Sequence, residues 1–476
     1  MAPTIYKTMA EAVADIPDGA MILTPGFGGT GGPINLITAL YYQGATNLVA
    51  VSNGGGQASI DPRVKTLGDL IEEGRVRKLI SSFTAATHPS RVSKTEQMIR
   101  DGQMEAELVP QGTLAERIRC GGAGIPAFFT PAGVGTLLAE GKEHREFNGR
   151  AYTLEHAIRP DYAFVRAWKA DTAGNLIFRH AARNYNPIAA MAGIHTIVEV
   201  EEIVPVGTIA PDEIHTPGIV VERMVLIPAD GVFRMGRPAS AEANPEKPSA
   251  EPKRKITRAE MAAVMAQRFE SGWLVNLGIG IPTLASNYVD PSRDIVFTSE
   301  NGVIGYSGLA GPDEIDPDVV NAGGQPVTLV PGASFVNHAD SFALIRSGRI
   351  NVTALGAYEC AVDGSFANWR LSNAPYDNLG GIGGAMDLVA RAQQIWLAME
   401  HTTRDGAPRL LEHCTLPVTS PHNVRLVVTD IAVMSIRDGK YILEETAPGY
   451  TPEEIIALTG APVEVSPNVR TISVTV

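Results

Sequence analysis

Short apolar segments alternate with glycine-rich turns and with stretches of helical periodicity along the chain. Near the N-terminus, the apolar segment AMIL is followed by the glycine loop GFGGTGGP, then by INLITALYY and NLVAVSNGGG. This order predicts a strand, a glycine turn, a helix and a second strand that ends in a polar loop. Alternation of strands and helices predicts an α/β fold with mainly parallel sheets and helices on both faces.

The second half of the chain repeats the pattern of the first half. Its apolar segment WLV leads to a glycine loop, then to TLASNYV and DIVFTSENG. Two later segments of the first half, DYAFVRAWKADTAGNLIF and NPIAAMAGIHTIVEVEE, also have counterparts, INVTALGAYECAVDGSFANW and GGAMDLVARAQQIWLAMEH. A repeat of this length predicts two similar domains, at residues 1–234 and 256–476.

Residues 235–255 differ in composition from both halves. Pro, Ala, Glu and Lys replace all apolar periodicity in this segment, MGRPASAEANPEKPSAEPKRK. Such a composition is typical of an extended, solvated linker. We therefore expect residues 235–255 to be exposed and to join two domains that face each other across a cleft.

Two polar loops lie where a ligand of such a fold is expected to bind. In parallel sheets, ligands bind beyond the carboxyl ends of strands, and the loops in question begin at Ser52 and Ser299. The second loop carries a carboxylate, Glu300, and the first does not. A loop glutamate is most often a solvated turn residue, but one that follows a buried strand can serve as a nucleophile in acyl transfer.

Glycine-rich segments and amides supply the other candidate residues. The segment 380–387, GGIGGAMD, offers unobstructed backbone N–H groups of the kind that an oxyanion hole needs. The glycine loops can cradle phosphates or simply form tight turns, and the amides can hold a carboxylate or serve as structural turn residues. The candidates are Gly26, Gly28, Gly278 and Gly280 in the loops, and the amides Asn53, Gln111, Asn276 and Asn368.

The composition narrows the classes of function. The 476 residues include 39 Lys and Arg against 52 Asp and Glu, a formal net charge of −13, without a basic run. Nucleic acid and membranes are therefore not expected partners. The cysteines and histidines lack metal-ligand spacing, so no metal is expected. The Gly-x-Ser-x-Gly motif of serine hydrolases does not occur near an Asp or His partner. Since no targeting or membrane-spanning segment is visible, we expect a cytoplasmic protein.

Several long motifs occur in a fixed order in the two halves. They are GFGGTGGPINLI, PQGTLAERIRCGGAGIPAFFTPAG, NLGIGIPT, TSENGVIG and GGAMDLV. Together they resemble the motifs of family I coenzyme A (CoA) transferases of the 3-oxoacid type. The resemblance extends nearly from end to end and identifies the chain as a fusion of the α and β subunits of this family.

The resemblance implies that the protein transfers CoA between carboxylic acids by a ping-pong mechanism. Glu300 would be the nucleophile and carry CoA as a glutamyl thioester, and the backbone N–H groups at Gly384 and Ala385 would form the oxyanion hole. The amides match positions that line the acyl pocket. No metal or prosthetic group is implied, because the CoA thioester is a substrate, and we expect a homodimer or homotetramer.

Two departures from the family pattern affect the expected substrate. Gly324 stands where many relatives carry a lysine, and residues 370–378 replace an IPGKM-like segment. The leading hypothesis is transfer of CoA from succinyl-CoA or acetyl-CoA to a 3-oxoacid such as acetoacetate. The alternative acceptors are 3-oxoadipate, a short-chain fatty acid and an aromatic or branched acid. An acyl-CoA hydrolase and a noncatalytic acyl-CoA-binding protein are further alternatives.

Overall fold

The fold contains two large sheets, one in each half of the chain. It is described by a computed structural model. The described residues are 2–84, 93–228, 231, 249, 251–290, 292–373 and 380–474. Within these residues, no helix is long and apolar enough to cross a membrane.

The first half contains a large parallel sheet and a small antiparallel one. Its strands are β1 (Thr4–Tyr6), β2 (Met21–Thr24), β3 (Leu48–Ser52), β4 (Val76–Ser81), β5 (Glu105–Leu108), β6 (Ala127–Thr130), β7 (His144–Phe147), β8 (Arg150–His156), β9 (Tyr162–Asp171), β10 (Leu176–Ile177), β11 (His195–Val204) and β12 (Arg223–Leu226). The large sheet has the order β1-β12-β11-β9-β2-β3-β4-β5 with every pair parallel, and β10 pairs antiparallel with β9. Strands β6, β8 and β7 form the small sheet.

Helices cover both faces of the first large sheet. They are α1 (Met9–Val13), α2 (Ile34–Gln43), α3 (Leu67–Glu72), α4 (Lys94–Arg100), α5 (Gln111–Ala123) and α6 (Asn186–Ala192), with 3₁₀ turns at Leu137–Ala139, His180–Arg183, Pro211–Glu213 and Gly218–Val220. Successive strand residues point to opposite faces. In β2, Ile22 packs in the cluster that contains α1 to α4, and Leu23 packs in the cluster that contains α5 and α6.

The second half contains a large mixed sheet. Its strands are β13 (Trp273–Leu277), β14 (Ile295–Thr298), β15 (Val303–Leu309), β16 (Val327–Phe335), β17 (Val352–Gly356), β18 (Glu359–Ala361), β19 (Phe366–Ala367), β20 (Gln394–Met399), β21 (Leu410–Leu411), β22 (Val424–Thr429), β23 (Ala432–Arg437), β24 (Lys440–Thr446) and β25 (Val463–Thr471). Its helices are α7 (Arg258–Arg268), α8 (His338–Arg346), α9 (Ala385–Val389) and α10 (Pro452–Leu458), with a 3₁₀ helix at Pro282–Tyr288. The large sheet has the order β16-β15-β14-β13-β17-β20-β22-β23-β24-β25, and β19, β18 and β21 form a small sheet.

The internal repeat is visible in the order of the parallel strands. The run β12-β11-β9-β2-β3 of the first sheet corresponds to β22-β20-β17-β13-β14 of the second sheet. The prediction of an α/β fold with two similar domains and mainly parallel sheets is therefore confirmed. One predicted element differs, because TLASNYV forms a 3₁₀ helix where the first half has α2; its Thr, Ser, Asn and Val residues are weak helix formers.

The predicted linker lies mostly outside the described residues. Its described end, residues 251–255, lies on the second half, where Lys253 pairs with Glu454 at 2.5 Å and Arg254 pairs with Glu260 at 2.7 Å. The strands of the two large sheets come from residues 4–226 and 273–471. The bounds of the linker and of the domains stay predictions.

The two halves meet through equivalent helices. Helices α5 and α6 of the first half correspond to α8 and α9 of the second half, and α5 contacts both α8 and α9. The backbone N–H of Gln111 donates to Gly383 O at 2.9 Å, and the backbone N–H of His338 donates to Asn184 O at 3.0 Å. These matching bonds at the starts of α5 and α8 define a pseudo-two-fold relation between the halves.

Candidate active site

Glu300 lies in the turn that joins β14 to β15, at the carboxyl end of a parallel strand. The turn closes through two backbone hydrogen bonds, from Ser299 to Val303 O at 2.9 Å and from Gly302 to Ser299 O at 3.0 Å. Gly302 has φ +99°, and a Cβ at this position would lie 2.0 Å from Val336 O. The glycine is therefore required, and it seats the Glu300 turn against the end of β16.

The Glu300 carboxyl group is almost completely removed from water. The residue is 4% exposed, and its Oε2 has no hydrogen-bond partner among the described residues. Burial raises the pKa of Glu300 to about 7, an effect opposed only by a backbone hydrogen bond. A buried carboxyl group with such a shifted pKa is typical of a functional site.

The structure brings Asn53 and Gln111 into direct contact. Asn53 follows β3 and Gln111 begins α5, and the Gln111 Nε2–H donates to Asn53 Oδ1 at 2.8 Å. Tyr185 joins them, since its hydroxyl lies within hydrogen-bond distance of two acceptors, Gln111 O at 3.2 Å and Asn53 Oδ1 at 3.4 Å. The Gln111 Oε1 is buried and unpaired within the described residues. The pair therefore presents a free amide oxygen at the interface of the halves.

The other two predicted amides have different surroundings. Asn276 lies on β13, where its Nδ2–H donates to Thr298 O at 3.2 Å, so it flanks the strand that leads to Glu300. Asn368 instead donates to Gly356 O at 3.0 Å and accepts from the Thr419 hydroxyl at 2.8 Å. These bonds connect the carboxyl end of β17 to the small sheet and do not join Asn368 to the other predicted residues.

The glycine segment before α9 pairs with the first half. The Thr84 N–H donates to Gly380 O at 3.1 Å, and the Ile382 N–H donates to Ser82 O at 2.9 Å. Phe83 lies across the segment, since a Cβ at Gly381 would lie 2.0 Å, and one at Gly383 2.7 Å, from its ring. Both glycines are therefore needed for close packing as well as for open backbone.

The predicted oxyanion-hole residues lie at the start of α9. Gly384 caps this helix, and a Cβ at Gly384 would lie 3.1 Å from Gln111 Oε1. The predicted N–H donor at Gly384 thus lies beside the amide pair of the first half. The Ala385 N–H already contacts Ile382 O at 3.3 Å. It would have to turn from this long bond to donate to a ligand.

The two predicted glycine loops have different neighbours. The first loop contains Gly26 with φ +131° and Gly28 with φ +59°, and a Cβ at Gly28 would lie 3.9 Å from the Cα of Gly324. The loop therefore faces Gly324, the position of the missing lysine. In the second loop, a Cβ at Gly278 would lie 2.6 Å from Leu355, and Gly280 has φ +99°. Close packing and turn geometry require these glycines, and phosphate binding by them stays a prediction.

Three buried polar residues were not predicted from the sequence. Tyr306 on β15 is buried with an unpaired hydroxyl, and burial together with the nearby Glu300 raises the pKa of Tyr306. His338 begins α8 and stacks on Tyr185 with ring centroids 4.0 Å apart. Asp387 on α9 accepts from the Thr113 N–H at 2.9 Å, across the interface.

Asp387 was the only one of the three with a usable signal in the sequence, because it belongs to the GGAMD motif. Tyr306 and His338 are single residues whose significance depends on contacts between distant segments. Among the described residues, no group of three or more His, Cys, Asp or Glu side chains is arranged to hold a metal ion.

Comparison with known proteins shows the family of this chain. The family model described as "Coenzyme A transferase" matches residues 6–226 and 259–458. The chain is 40% identical over 485 residues to the mitochondrial succinyl-CoA:3-ketoacid coenzyme A transferase 2A of Mus musculus. The match covers 98% of this chain and 90% of that relative. The first half is 47% identical over 220 residues to one of the subunits of the succinyl-CoA:3-ketoacid coenzyme A transferase of Helicobacter pylori (strain J99), covering 46% of this chain and 90% of that relative.

Solved structures show the same fold. The apoenzyme of the acyl-CoA transferase YdiF from Escherichia coli O157:H7 matches with a TM-score of 0.75 at 19% identity, over 99% of this chain and 95% of that chain. At this identity the likeness shows the fold alone, but the family model and the mouse relative both extend over the two halves. The chain therefore belongs to the coenzyme A transferase family, and the protein is a CoA-transferase.

Proposed function

We propose that Glu300 is the nucleophile of this CoA-transferase and carries CoA as a glutamyl thioester. The observation that supports this role most directly is its buried carboxyl group at the carboxyl end of β14, whose Oε2 has no hydrogen-bond partner among the described residues. A carboxylate oxygen that is neither hydrogen-bonded nor solvated keeps its nucleophilicity, and a covalent intermediate divides a difficult acyl transfer into easier steps.

The proposed reaction needs no net proton transfer. The Glu300 carboxylate attacks the carbonyl carbon of the acyl-CoA, the carbon–sulfur bond breaks, and an acyl-glutamyl anhydride and CoA thiolate form. The thiolate attacks the glutamyl carbonyl carbon, which releases the donor acid as its carboxylate and leaves CoA on Glu300. The acceptor carboxylate then attacks the glutamyl thioester, and the returning thiolate takes the new acyl group and frees Glu300.

The predicted neighbours of Glu300 have proposed roles in these steps. Backbone N–H groups at Gly384 and Ala385 stabilise the tetrahedral oxyanion of the acyl carbonyl. The neutral amides of Asn53, Gln111 and Asn276 hold the acyl group without a positive charge that would reduce the nucleophilicity of Glu300. Asn368 also lines the acyl pocket, and the glycine loops at Gly26, Gly28, Gly278 and Gly280 accommodate CoA.

We also propose succinyl-CoA as the donor and a 3-oxoacid as the acceptor. The proposal follows the names of the full-length relatives, which are 40% identical to this chain over nearly its whole length. Gly324, which stands at the position of the family's lysine, faces the first glycine loop and provides no positive charge there. A panel of acceptor acids, with product acyl-CoA separated by chromatography, tests the assignment.

Trapping with borohydride tests the role of Glu300. Incubation with succinyl-CoA and no acceptor should convert Glu300 to the CoA thioester, which borohydride reduces to an alcohol, whereas a free carboxylate is not reduced. Peptide mapping should then find the alcohol at residue 300. Glu300→Gln should abolish both trapping and transfer, while Glu314→Gln, which changes an exposed glutamate of the same half, should leave both unchanged.

Three results would contradict the proposal. They are a reduced residue elsewhere in the chain, near-normal transfer by Glu300→Gln, and release of CoA from succinyl-CoA at the full catalytic rate without any acceptor. The last result would identify water as the acceptor and the protein as an acyl-CoA hydrolase.

Self-association and location complete the proposal. We propose a homodimer or homotetramer, as the family resemblance suggested, and a cytoplasmic location. Light scattering at micromolar concentration measures the oligomeric state, and a mass of one chain would contradict this part of the proposal without affecting the role of Glu300.

A further inference from the structure

His338 is the counterpart of Gln111 in the internal repeat. Gln111 is the first residue of α5 and His338 is the first residue of α8. Each donates its backbone N–H to the opposite half, Gln111 to Gly383 O at 2.9 Å and His338 to Asn184 O at 3.0 Å. The pseudo-two-fold relation therefore gives the two side chains equivalent positions.

From the same relation we infer that the His338 ring lies beside Glu300. In the first half, the equivalent side chains of Gln111 and Asn53 are hydrogen-bonded at 2.8 Å, and the loop of Asn53 corresponds to the loop of Glu300. A direct contact agrees with this placement, because the hydroxyl of Ser341, one turn after His338, donates to the main chain of the Glu300 loop at 3.4 Å. The first turn of α8 thus lies against the nucleophile.

The His338 ring is held firmly, yet its polar atoms are free. It stacks on Tyr185 with centroids 4.0 Å apart, and Phe27 and Phe342 lie at 5.6 Å and 5.5 Å. Both ring nitrogens are fully buried and have no hydrogen-bond partner among the described residues. Neutral imidazole has one donor and one acceptor, and it is costly for a fold to bury them without partners.

The unpaired polar atoms of His338 and Glu300 suit an uncharged polar partner. Glu300 Oε2 is unpaired as well, so the ring and the carboxyl group are not hydrogen-bonded to each other. Burial alone lowers the pKa of His338 to about 3. The ring is therefore neutral near neutral pH and offers an N–H without a positive charge, which suits a ketone oxygen better than a buried carboxylate.

We propose that His338 is a specificity residue that donates a hydrogen bond to the 3-oxo oxygen of the acyl group as it reacts at Glu300. The inference rests on the proposed function and adds the means by which a 3-oxoacid is distinguished. With a saturated acid of the same length, the His338 N–H would stay unpaired, and a site built to bond a polar group discriminates against ligands that lack it.

Acetoacetate and butyrate test this role, because they differ in the 3-oxo group and share their chain length. The quantity to measure is the ratio of kcat/KM for the two acceptors with succinyl-CoA as donor. His338→Phe keeps the stacked ring and removes both nitrogens, and it should lower the ratio by about tenfold to a hundredfold. The ratio does not depend on the fraction of folded enzyme, so lost stability alone cannot change it.

Two further variants sharpen the test. His338→Gln restores an N–H donor of the kind that Gln111 provides in the first half, and it should recover most of the ratio. His401→Gln is the matched control, since His401 is another buried histidine whose ring nitrogens already contact Thr429 and Thr459 at 3.0 Å. It should leave the ratio unchanged.

The possible failures are distinguishable. If the wild-type enzyme forms no new acyl-CoA with any acceptor, the proposed function is wrong. If it transfers CoA but His338→Phe changes both acceptors equally, or neither, the role of His338 is overturned. With isotopically labelled succinate as a third acceptor, whose exchange into succinyl-CoA can be followed, a loss confined to succinate would show that His338 binds a remote carboxylate, which would also overturn the assignment to the ketone.

Discussion

Glu300 combines a functional need with a cost in stability. The fold buries its side chain and leaves one oxygen unpaired, and burial raises its pKa from 4.5 to about 7. The charged form, which is the nucleophile, is therefore the form that the folded protein tolerates less well. Strain of this kind at one residue is typical of active sites, and its effect on rate and on stability can be measured separately.

The rate of thioester formation should depend on pH through Glu300. Below about pH 7 the carboxyl group is mostly protonated and cannot attack, and above this pH it is charged and reactive. Single-turnover formation of the glutamyl thioester should therefore rise with pH through about 7 and then level off. Quenched-flow measurements with succinyl-CoA and no acceptor would show this, and a rate already maximal at about pH 5 would contradict it.

The stability of the protein should show the opposite dependence on pH. A carboxyl group whose pKa is raised on folding stabilises the native state below its unfolded pKa, and this contribution is lost as pH rises through the folded value. The shift from 4.5 to about 7 corresponds to about 3 kcal/mol. Glu300→Gln should thus gain stability relative to wild type as pH rises from about 5 to about 8. If the two proteins have equal urea midpoints at both pH values, the buried Glu300 carboxylate does not destabilise the native state.

At the scale of elements, the glycine segment before α9 is defined by its contact with Phe83. The sequence suggested open backbone for an oxyanion hole, and the structure adds that Gly381 and Gly383 make room for this aromatic ring. Residues 82–84 and 380–383 also pair as extended backbone, joining the two halves. The segment thus positions Gly384 through a contact that lies more than two hundred residues away in sequence.

A double-mutant cycle should reveal this contact. Gly381→Ala places a Cβ 2.0 Å from the Phe83 ring and should destabilise the protein by about 1–3 kcal/mol. In a Phe83→Ala background the same change should cost much less, because the ring that it meets is gone. Urea unfolding of the four proteins measures the coupling. Additive free-energy changes would show that Phe83 is not what requires the glycine.

At the scale of the whole molecule, the repeat carried most of the predictable information. Matching glycine loops and strands in the two halves predicted similar domains, and the parallel orders β12-β11-β9-β2-β3 and β22-β20-β17-β13-β14 confirm them. The antiparallel additions at both edges of the second sheet, β15 with β16 and β23 with β24, were not predicted. Apolar alternation indicates a strand but not the direction of its neighbour.

The candidate site was predictable where a residue belongs to a motif or to the polar loop after a buried strand. Glu300, Gln111 and Gly384 lie in long motifs, and the structure places each of them at the interface of the halves. His338 and Tyr306 carry no local pattern, because their significance depends on unpaired polar atoms inside a completed fold. Such atoms become visible only when segments from both halves are packed together.

The contacts between the halves predict that the chain can be divided without losing its activity. Buried hydrogen bonds join the halves independently of residues 235–255, as between Glu96 and the Gly380 N–H at 3.0 Å and between Asp387 and the Thr113 N–H at 2.9 Å. Co-expressed fragments 1–234 and 256–476 should therefore associate and transfer CoA, and neither fragment should do so alone. Fragments that stay separate at micromolar concentration would show that the covalent connection is required.

The same complex offers a test of how the interface is held. Asp387 is fully buried, and besides the Thr113 N–H it contacts Arg346 at 3.4 Å. Asp387→Ala in the second fragment should weaken association by about tenfold to a hundredfold, because the buried Thr113 N–H loses its acceptor and Arg346 keeps only Glu116 as an ion-pair partner. Asp405→Ala, at an exposed turn of the same fragment, is the control and should leave the dissociation constant unchanged. Circular dichroism checks that both fragments are folded. If they are and the dissociation constant for Asp387→Ala is unchanged, Asp387 does not contribute to the association of the two halves.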